Sequence, residues 1–371
     1  MSKTLLISDT HLKPYNQNND NLSRWEKNAQ QYALDKIISI IKERNITKII
    51  HLGDMLETYF PKDFELELVD YFFNKIPKGV KFIIIDGNHE LNRDSTKRIY
   101  YFNFMKDYYK EKYNINVFDY KEIGQDLYCG HGHISKLETL TKRYRYVFSH
   151  IRSTDGSNKY IVDEINMVSL KENAKKVFLG DIHLNLEHNN IVYAGQSTWV
   201  NFPSDSSTEY FDKVVPSVII LDEDSGEYER IALFEQDSPY QKKFKKIYFE
   251  EYDSLKDIAK EIEKDCSENN HFYKVRLFAK KFMIDKLKEE FKHLKHCVVL
   301  DIVNITLKDT EVQNLQINTI IKDNLDKGSV SANCLEYCKK ALNEPRLEDL
   351  LCSTYATLEG SIEQDNLKEE D

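Results

Sequence analysis

Five short segments combine carboxylates, imidazoles and an amide in a pattern that could hold metal ions. They are Asp9-Thr10-His11, Asp54, Asn88-His89-Glu90, His150 and Asp181-Ile182-His183. Imidazole and carboxylate together suit Mn, Fe or Zn, whereas Mg and Ca prefer oxygen alone. One carboxylate can bridge two divalent ions about 3.5–4 Å apart, and such a pair clamps a phosphate for in-line attack. Coordination also lowers the pKa of water far below its bulk value, so a nucleophile exists near neutral pH. Singly these motifs carry little. Asp-x-His and Gly-Asp recur by chance, and Gly-Asn-His is equally a turn with Gly at positive φ and Asn capping. Their ordered recurrence, each behind an apolar run, points to one shared centre.

The runs that must position them read as β-strands: KTLLIS (3–8), TKIIHLG (47–53), VKFIIIDG (80–87), YRYVFS (144–149) and KKVFLG (175–180). Residues 24–45 have helical periodicity, with Ala33, Ile37, Ile40 and Ile41 on one face. Residues 63–75 and the Tyr-rich 95–112 also read as helices. This β-α-β-α-β rhythm, with strands apolar on both faces, predicts a sheet covered by helices. In such sheets ligands gather at the carboxyl ends of the strands. After residue 114 short β-type segments follow one another to about residue 234 and belong to the same domain. The pattern breaks at Asp237–Tyr240. Residues 244–306 then read strand, helix (254–265), strand (271–278), helix (282–293), strand (297–306), a small α+β module. From Thr310 the chain is polar with helical stretches and ends in an acidic run.

The 371 residues are 41 % hydrophobic and 31 % charged, with only 12 Gly and 7 Pro, which excludes wholesale disorder and a disulfide-stapled mini-protein. A net charge of −10 gives no global attraction to nucleic acid or anionic membrane. Any contact with DNA or RNA would therefore have to come from local basic patches or bound metal. The six cysteines form no CxxC pair, and MSKTLLISDTHL has no apolar segment or cleavage site, so reduced thiols and a cytoplasmic location are expected. FIII at 82–85 is far too short to span a membrane.

The set I-S-D-T-H-L, H-L-G-D, D-G-N-H-E, F-S-H and L-G-D-I-H spans about the first 200 residues and resembles the calcineurin-like metallophosphoesterases. The segment YAGQSTWVNF (193–202), a small following domain and a helical tail narrow the resemblance to SbcD-type DNA repair nucleases, phage or bacterial. The resemblance implies an α/β fold: a four-layer sandwich of two mixed β-sheets flanked by helices, with a small α+β cap and a helical tail. It implies a nuclease domain at 1–240, a DNA-capping domain at 241–308 and an ATPase-binding region at 309–371. Asp9 and His11 would hold one ion, Asp54 would bridge, Asn88 and His150 would hold the second ion, and His183 would complete the first site. His89 would not bind metal but would orient the phosphate and protonate the leaving oxygen. The implied activity is duplex exonuclease and single-strand endonuclease, using a metal-bridging hydroxide. The implied cofactor is two divalent ions, manganese with magnesium as alternative. The implied partners are DNA and an SbcC-type coiled-coil ATPase, with the chain a homodimer inside a heterotetramer. Other phosphoesterases of this fold, acting on nucleotides or phosphoproteins, and a catalytically weak DNA-binding scaffold are the alternatives.

The family usually has Gly-His-x-His at the last motif; here Asp181 replaces the first His, a harder donor that tilts the second site toward Mn or Mg. Gly130-His131-Gly132-His133 spells that motif literally, but it lies upstream of His150, so Asp181/His183 is preferred and His131/His133 lines the cleft or turns a loop. Arg93, with Lys97 and Arg98, and Arg143, Arg145 and Arg152 around His150 are candidate DNA contacts. Lys242, Lys243, Lys245 and Lys246 read as a solvated linker. Leu347, Leu350, Leu351 and Tyr355 form a helical stripe suited to a partner's groove.

Overall fold

The computed structural model describes residues 2–13, 20–93, 95, 96, 98–151, 168–200, 213–235, 237–248, 255–279 and 284–304. Five strands that were legible as apolar runs lie in two mixed sheets. The first holds β1 (Lys3–Ile7), β2 (Lys48–His51), β3 (Lys81–Ile85) and β4 (Ile115–Phe118), all parallel, with β11 (Ser217–Asp222) antiparallel beside β1 and β12 (Tyr228–Ala232) at the edge. The second holds β6 (Asp126–Cys129), β7 (Tyr144–His150), β8 (Ala174–Gly180) and β10 (Ile191–Tyr193) in parallel, edged by antiparallel β5 (Tyr120–Ile123) and β9 (Leu186–His188).

Alternation of side chains along each strand explains the layering. In the first sheet Leu5, Ile7, Ile49, Phe82 and Ile84 face a helical layer of α1 (Asp20–Glu43) and α2 (Asp63–Lys75). Their neighbours Leu6, Ile50, Ile83 and Ile85 face the second sheet. There they join Tyr128, Tyr146, Phe148 and Phe178, with the Phe148 and Phe178 rings stacked 5.8 Å apart. On the far side Leu127, Val147, Val177 and Leu179 pack against Leu137, Leu140 and Leu170, from the 3-10 segment His131–Thr139, the residue after it, and α5 (Val168–Asn173). Two mixed sheets between helical layers are the α/β architecture the resemblance implies, where the apolar runs alone predicted a single sheet covered by helices.

The Tyr-rich region departs from expectation. Helix is confined to α3 (Tyr101–Phe104) and α4 (Lys106–Tyr113). Before it the chain folds back on itself, with a Leu91–Tyr100 bridge and Asn92 N donating to Ile99 O at 2.8 Å. Tyr109 is buried against Phe73 and Phe102, so this face packs into the core.

Beyond Tyr240 the strand–helix–strand–helix–strand order is present: β13 (Lys242–Tyr248), α6 (Leu255–Asn269), β14 (Phe272–Ala279), α7 (Ile284–Glu290) and β15 (Val298–Asn304), with the three strands forming one sheet. Met1–Leu277 and Asp285–Ile302 form one compact unit. Within it the Trp25 ring of α1 lies 5.6 Å from Phe272, and Trp25 Nε1 donates to Asn270 O. Lys242 corrects the solvated-linker expectation. Only 2 % of its side chain is exposed, and its Nζ donates to Glu26 Oε1 at 2.9 Å and Val200 O at 3.3 Å. The second unit comprises Phe278–Ile284 and Val303–Asp371. Phe278, Ala279, Ile284, Val303 and Asn304 are its described residues, and the expected partner-binding region 309–371 lies outside them. Among the described residues no helix is long and apolar enough to cross a membrane. Cys129, Cys266 and Cys297 are free and buried.

Candidate metal centre

The five strands β1, β2, β3, β7 and β8 all deliver their carboxyl ends to one place. Behind β1 and β2 the chain turns through left-handed backbone at Asp9 (φ 48°), His11 (φ 42°) and Asp54 (φ 55°), and behind β8 at Asp181 (φ 83°). This region is costly for residues other than glycine and clusters at functional sites. Backbone bonds hold it: Asp9 N donates to Gly53 O at 3.1 Å, and His11 N to Asp54 O at 2.9 Å. Gly87 is required by close approach, since a Cβ there would fall on the Asp54 carboxylate and backbone N.

Eight residues singled out in the sequence meet there: Asp9, His11, Asp54, Asn88, His89, His150, Asp181 and His183. Asp54 Oδ2 lies 3.5 Å from His11 Nε2 and 3.3 Å from His150 Nε2. His183 Nε2 lies 3.5 Å from Asp9 Oδ1 and 3.0 Å from His11 Nε2. On the other side His150 Nε2 lies 2.9 Å from Asn88 Oδ1 and 3.9 Å from Asp181 Oδ1. Asp181 N donates to both Asp9 oxygens at 3.2 Å. His150 Nδ1 sits 2.7 Å from Leu52 O, so it carries the proton and leaves Nε2 facing the carboxylates. His89 Nδ1 likewise donates to Glu57 O at 3.0 Å.

The electrostatics match a cation site. Burial opposes ionisation of Asp9, but His11 and His183 hold its carboxyl well below the usual range. Against burial, His150 and His11 bring Asp54 down to about 2. Burial pulls His11 down, yet Asp9 and Glu57 outweigh it and lift the ring to about 9. His150 is raised well above its ordinary value against burial, by Asp54 and Asp9. Ionised carboxylates here draw protons onto imidazoles, and a divalent ion would replace those protons. Three triads have ligand atoms within 4.8 Å of one another: Asp9/His11/His183, Asp9/Asp54/His150 and His11/Glu57/His89. Mixed oxygen and imidazole donors around a shared Asp54 fit two divalent ions.

Two residues emerge that the sequence left unassigned or minor. Glu57 Oε2 is 3.2 Å from His11 Nδ1, because the Leu12–Leu56 bridge lays the two post-strand segments side by side. An acid three residues after Asp54 was the available signal. Glu90 is fully buried, and its carboxylate accepts from the backbone N of Met55 (2.7 Å), Gly87 (2.7 Å), Leu56 (3.1 Å) and Asp54 (3.3 Å). It ties the segment behind β2 to the one behind β3.

Other candidates supply no further ligand triad among the described residues. His51 is buried with its Nε2 2.6 Å from Thr10 Oγ1, and burial lowers it to about 3, so it packs as a neutral ring. His133 Nε2 pairs with Asp119 Oδ2 at 2.8 Å, and His131 Nδ1 with the Tyr100 hydroxyl at 2.9 Å. Neither belongs to a ligand triad among the described residues. Arg143 and Arg145 are not brought to the centre. They sit at the opposite end of β7, five or more residues and roughly 16 Å of strand from His150. Arg145 is also held by Asp126 through Nε at 3.1 Å and Nη2 at 3.0 Å. Arg93 is exposed on the segment following Glu90, and Arg152 lies outside the described residues.

A family model described as calcineurin-like phosphoesterase matches residues 2–202. Among solved structures, the protein TT1561 of Thermus thermophilus is similar at 11% identity over 63% of this chain and 99% of its own, with a TM-score of 0.40. Pseudomonas putida nuclease MPE is similar at 14% identity over 62% of this chain and 87% of its own, with a TM-score of 0.28. No curated protein matches the chain.

Proposed function

Given that this chain belongs to the calcineurin-like phosphoesterase family, we propose that it is a nuclease that hydrolyses DNA phosphodiesters with two divalent ions, manganese or magnesium. Asp9, His11 and His183 would hold one ion, Asn88, His150 and Asp181 the other, with Asp54 between them. The observation that carries this reading is the Asp54 carboxylate, within 3.5 Å of the ring nitrogens of both His11 and His150. Bound ions of this kind supply Lewis acidity toward phosphoryl oxygens and a water acidic enough to attack near neutral pH.

The chain's own residues supply the rest. Glu57 O fixes the proton of His89 on Nδ1, so Nε2 faces the cleft, 4.0 Å from Asp54 Oδ2. With 34 % of its side chain exposed, His89 can reach substrate. A protonated His89 Nε2 donates to the leaving oxygen, a role worth about 10²–10⁴ in rate. Leu52 O and Glu90 keep His150 and the two metal-bearing segments in register. An SbcC-type ATPase bound through 309–371 and a homodimeric assembly complete the reading.

The test is purified protein with Mn on linear duplex, single strands and bis(p-nitrophenyl) phosphate, beside His89→Ala. Metal-dependent cutting of DNA that falls at least a hundredfold in the variant is expected. Hydrolysis of the small diester without DNA cleavage would assign the chain to another phosphoesterase activity. DNA binding with no cutting by either form would make it a scaffold.

A further inference from the structure

The Gly130-His131-Gly132-His133 segment is not used by the metal centre, yet the fold brings it beside it. In the second sheet Cys129 pairs with Ser149, and His150 pairs with Gly180. The chain that leaves the sheet on one side of His150 is therefore Gly180-Asp181, and on the other Gly130-His131, one strand spacing (about 4.8 Å) away. His131 N donates to Asp86 O at 3.1 Å, two residues before Asn88. His131 thus flanks the proposed second ion's residues opposite Asp181.

The segment is rigidly set. Gly130 N donates to Asp119 O at 2.6 Å, the same residue that holds His133, and a Cβ on Gly132 would crowd the Tyr100 ring. Tyr100 is buried, and its hydroxyl hydrogen-bonds His131 Nδ1 at 2.9 Å. Donation by the hydroxyl satisfies its proton and places the His131 proton on Nε2. The one side-chain hydrogen bond of His131 among the described residues is that to Tyr100, so Nε2 is left to a ligand or solvent. The fold-back based on the Leu91–Tyr100 bridge carries the exposed Arg93 and Arg98. Burial lowers His131 to about 4, helped by the charge of His150 and then of Arg98 and Arg93, so the ring is a neutral donor near two exposed cations.

We propose that His131 Nε2–H, with Arg93 and Arg98, binds a second phosphate of a polynucleotide chain, next to the one being cleaved. This rests on the phosphodiesterase reading above and names its substrate class as oligomeric rather than a one-phosphate ester. A neutral donor fixes the phosphate's position and the arginines supply charge without reading sequence.

The experiment compares wild type, His131→Gln and Tyr100→Phe on a single-stranded oligonucleotide and on bis(p-nitrophenyl) phosphate. Binding of the labelled oligonucleotide in EDTA is followed by fluorescence anisotropy, and folding by circular dichroism. The expected result is about a tenfold fall in the ratio of kcat/KM for oligonucleotide over small diester, matched by about tenfold weaker binding, as for one hydrogen bond to a charged group. Arg98→Ala should also lower the salt slope of binding by about 1. A ratio and an affinity within twofold of wild type in both variants would overturn the proposal. If wild type hydrolyses neither substrate, the phosphodiesterase reading fails, and the binding comparison alone decides the role of His131. Should His131→Gln not fold, Tyr100→Phe carries the test.

Discussion

Replacing Glu90 by Gln changes one atom and should loosen the whole centre. The two carboxylate oxygens each accept two backbone N–H groups: Oε1 from Met55 and Leu56, Oε2 from Gly87 and Asp54. Glutamine can present its single carbonyl oxygen to one pair only. Its NH₂ then faces the other pair, donor against donor, in a site with no exposure. Two buried donors left unpaired cost about 1–3 kcal/mol each, so the loss should be about 2–6 kcal/mol. That is a large part of a total stability of about 5–15 kcal/mol. Burial and the neighbouring Asp54 push the Glu90 carboxyl up to about 7, so the comparison belongs at pH 8, where it is ionised. Urea unfolding can be followed through the buried Trp25 and Trp199. Because the donors sit on segments bearing Asp54 and Asn88, metal affinity should also fall by about 10–100-fold. A variant within 1 kcal/mol of wild type that retains full metal affinity would refute the view that this carboxylate clamps the two segments.

Glu57→Gln removes a negative charge 3.2 Å from His11 Nδ1 and should weaken Mn binding about tenfold, measured by calorimetry. Gly180→Ala drives a Cβ into Ser8 Oγ, Leu52 O and His150 Nδ1; it should cost about 1–3 kcal/mol, and cleavage activity should fall about a hundredfold in rate assays. Asp181→His exchanges a hard donor for imidazole and should shift the metal giving highest activity from Mg or Mn toward Zn, read from a metal-activation series. Glu65 is buried, and burial raises its carboxyl from 4.5 to about 7, so between those pH values the folded chain keeps a proton that the unfolded chain releases. Stability should therefore fall with rising pH across that window, by about 3 kcal/mol in total. Glu65→Gln, which can still cap Lys62 N, should flatten this slope in urea titrations at pH 5 and pH 8.

How much could be read from the chain depended on whether the deciding contact was local. The helix expected over 63–75 forms as Asp63–Lys75, since its buried Leu68, Val69, Phe72 and Phe73 repeat at helical spacing. The five polar segments behind apolar runs were legible for the same reason: strand, turn and ligand are neighbours in sequence. Glu57 was not, because its approach to His11 depends on the pairing of Leu12 with Leu56. Lys242 looked like part of a solvated run, and its partner Glu26 lies 216 residues away on α1. Arg145 flanks His150 in sequence, yet a seven-residue strand sets them at opposite ends and Asp126 holds the guanidinium. The Tyr-rich helix was placed too early because tyrosines carry no signal for the fold-back at Leu91–Tyr100.

The left-handed backbone explains why the centre is arranged before any ion arrives. β1 ends at Ile7, so Asp9 and His11 lie beyond it and strand alternation does not aim their side chains. Ending the strand in positive φ turns both carboxylate and imidazole over the end of the sheet instead of into its core. Each such residue costs about 1–2 kcal/mol relative to ordinary backbone. The offset comes from backbone bonds between neighbouring segments, Asp9 to Gly53, His11 to Asp54 and Leu12 to Met55, joined by bonds to the ligand atoms such as His89 N to Asp54 Oδ1 at 2.9 Å. Asp181 follows the same logic, its strained N–H donating to the Asp9 carboxylate. The segments that carry the donors are therefore held by the sheet ends, while Asp9 and Asp54 also accept backbone N–H groups, from Asp181 and His89. A centre built this way orders its ligands through the core packing of Leu6, Ile50, Ile83, Phe148 and Phe178, which extends to the residues just before them.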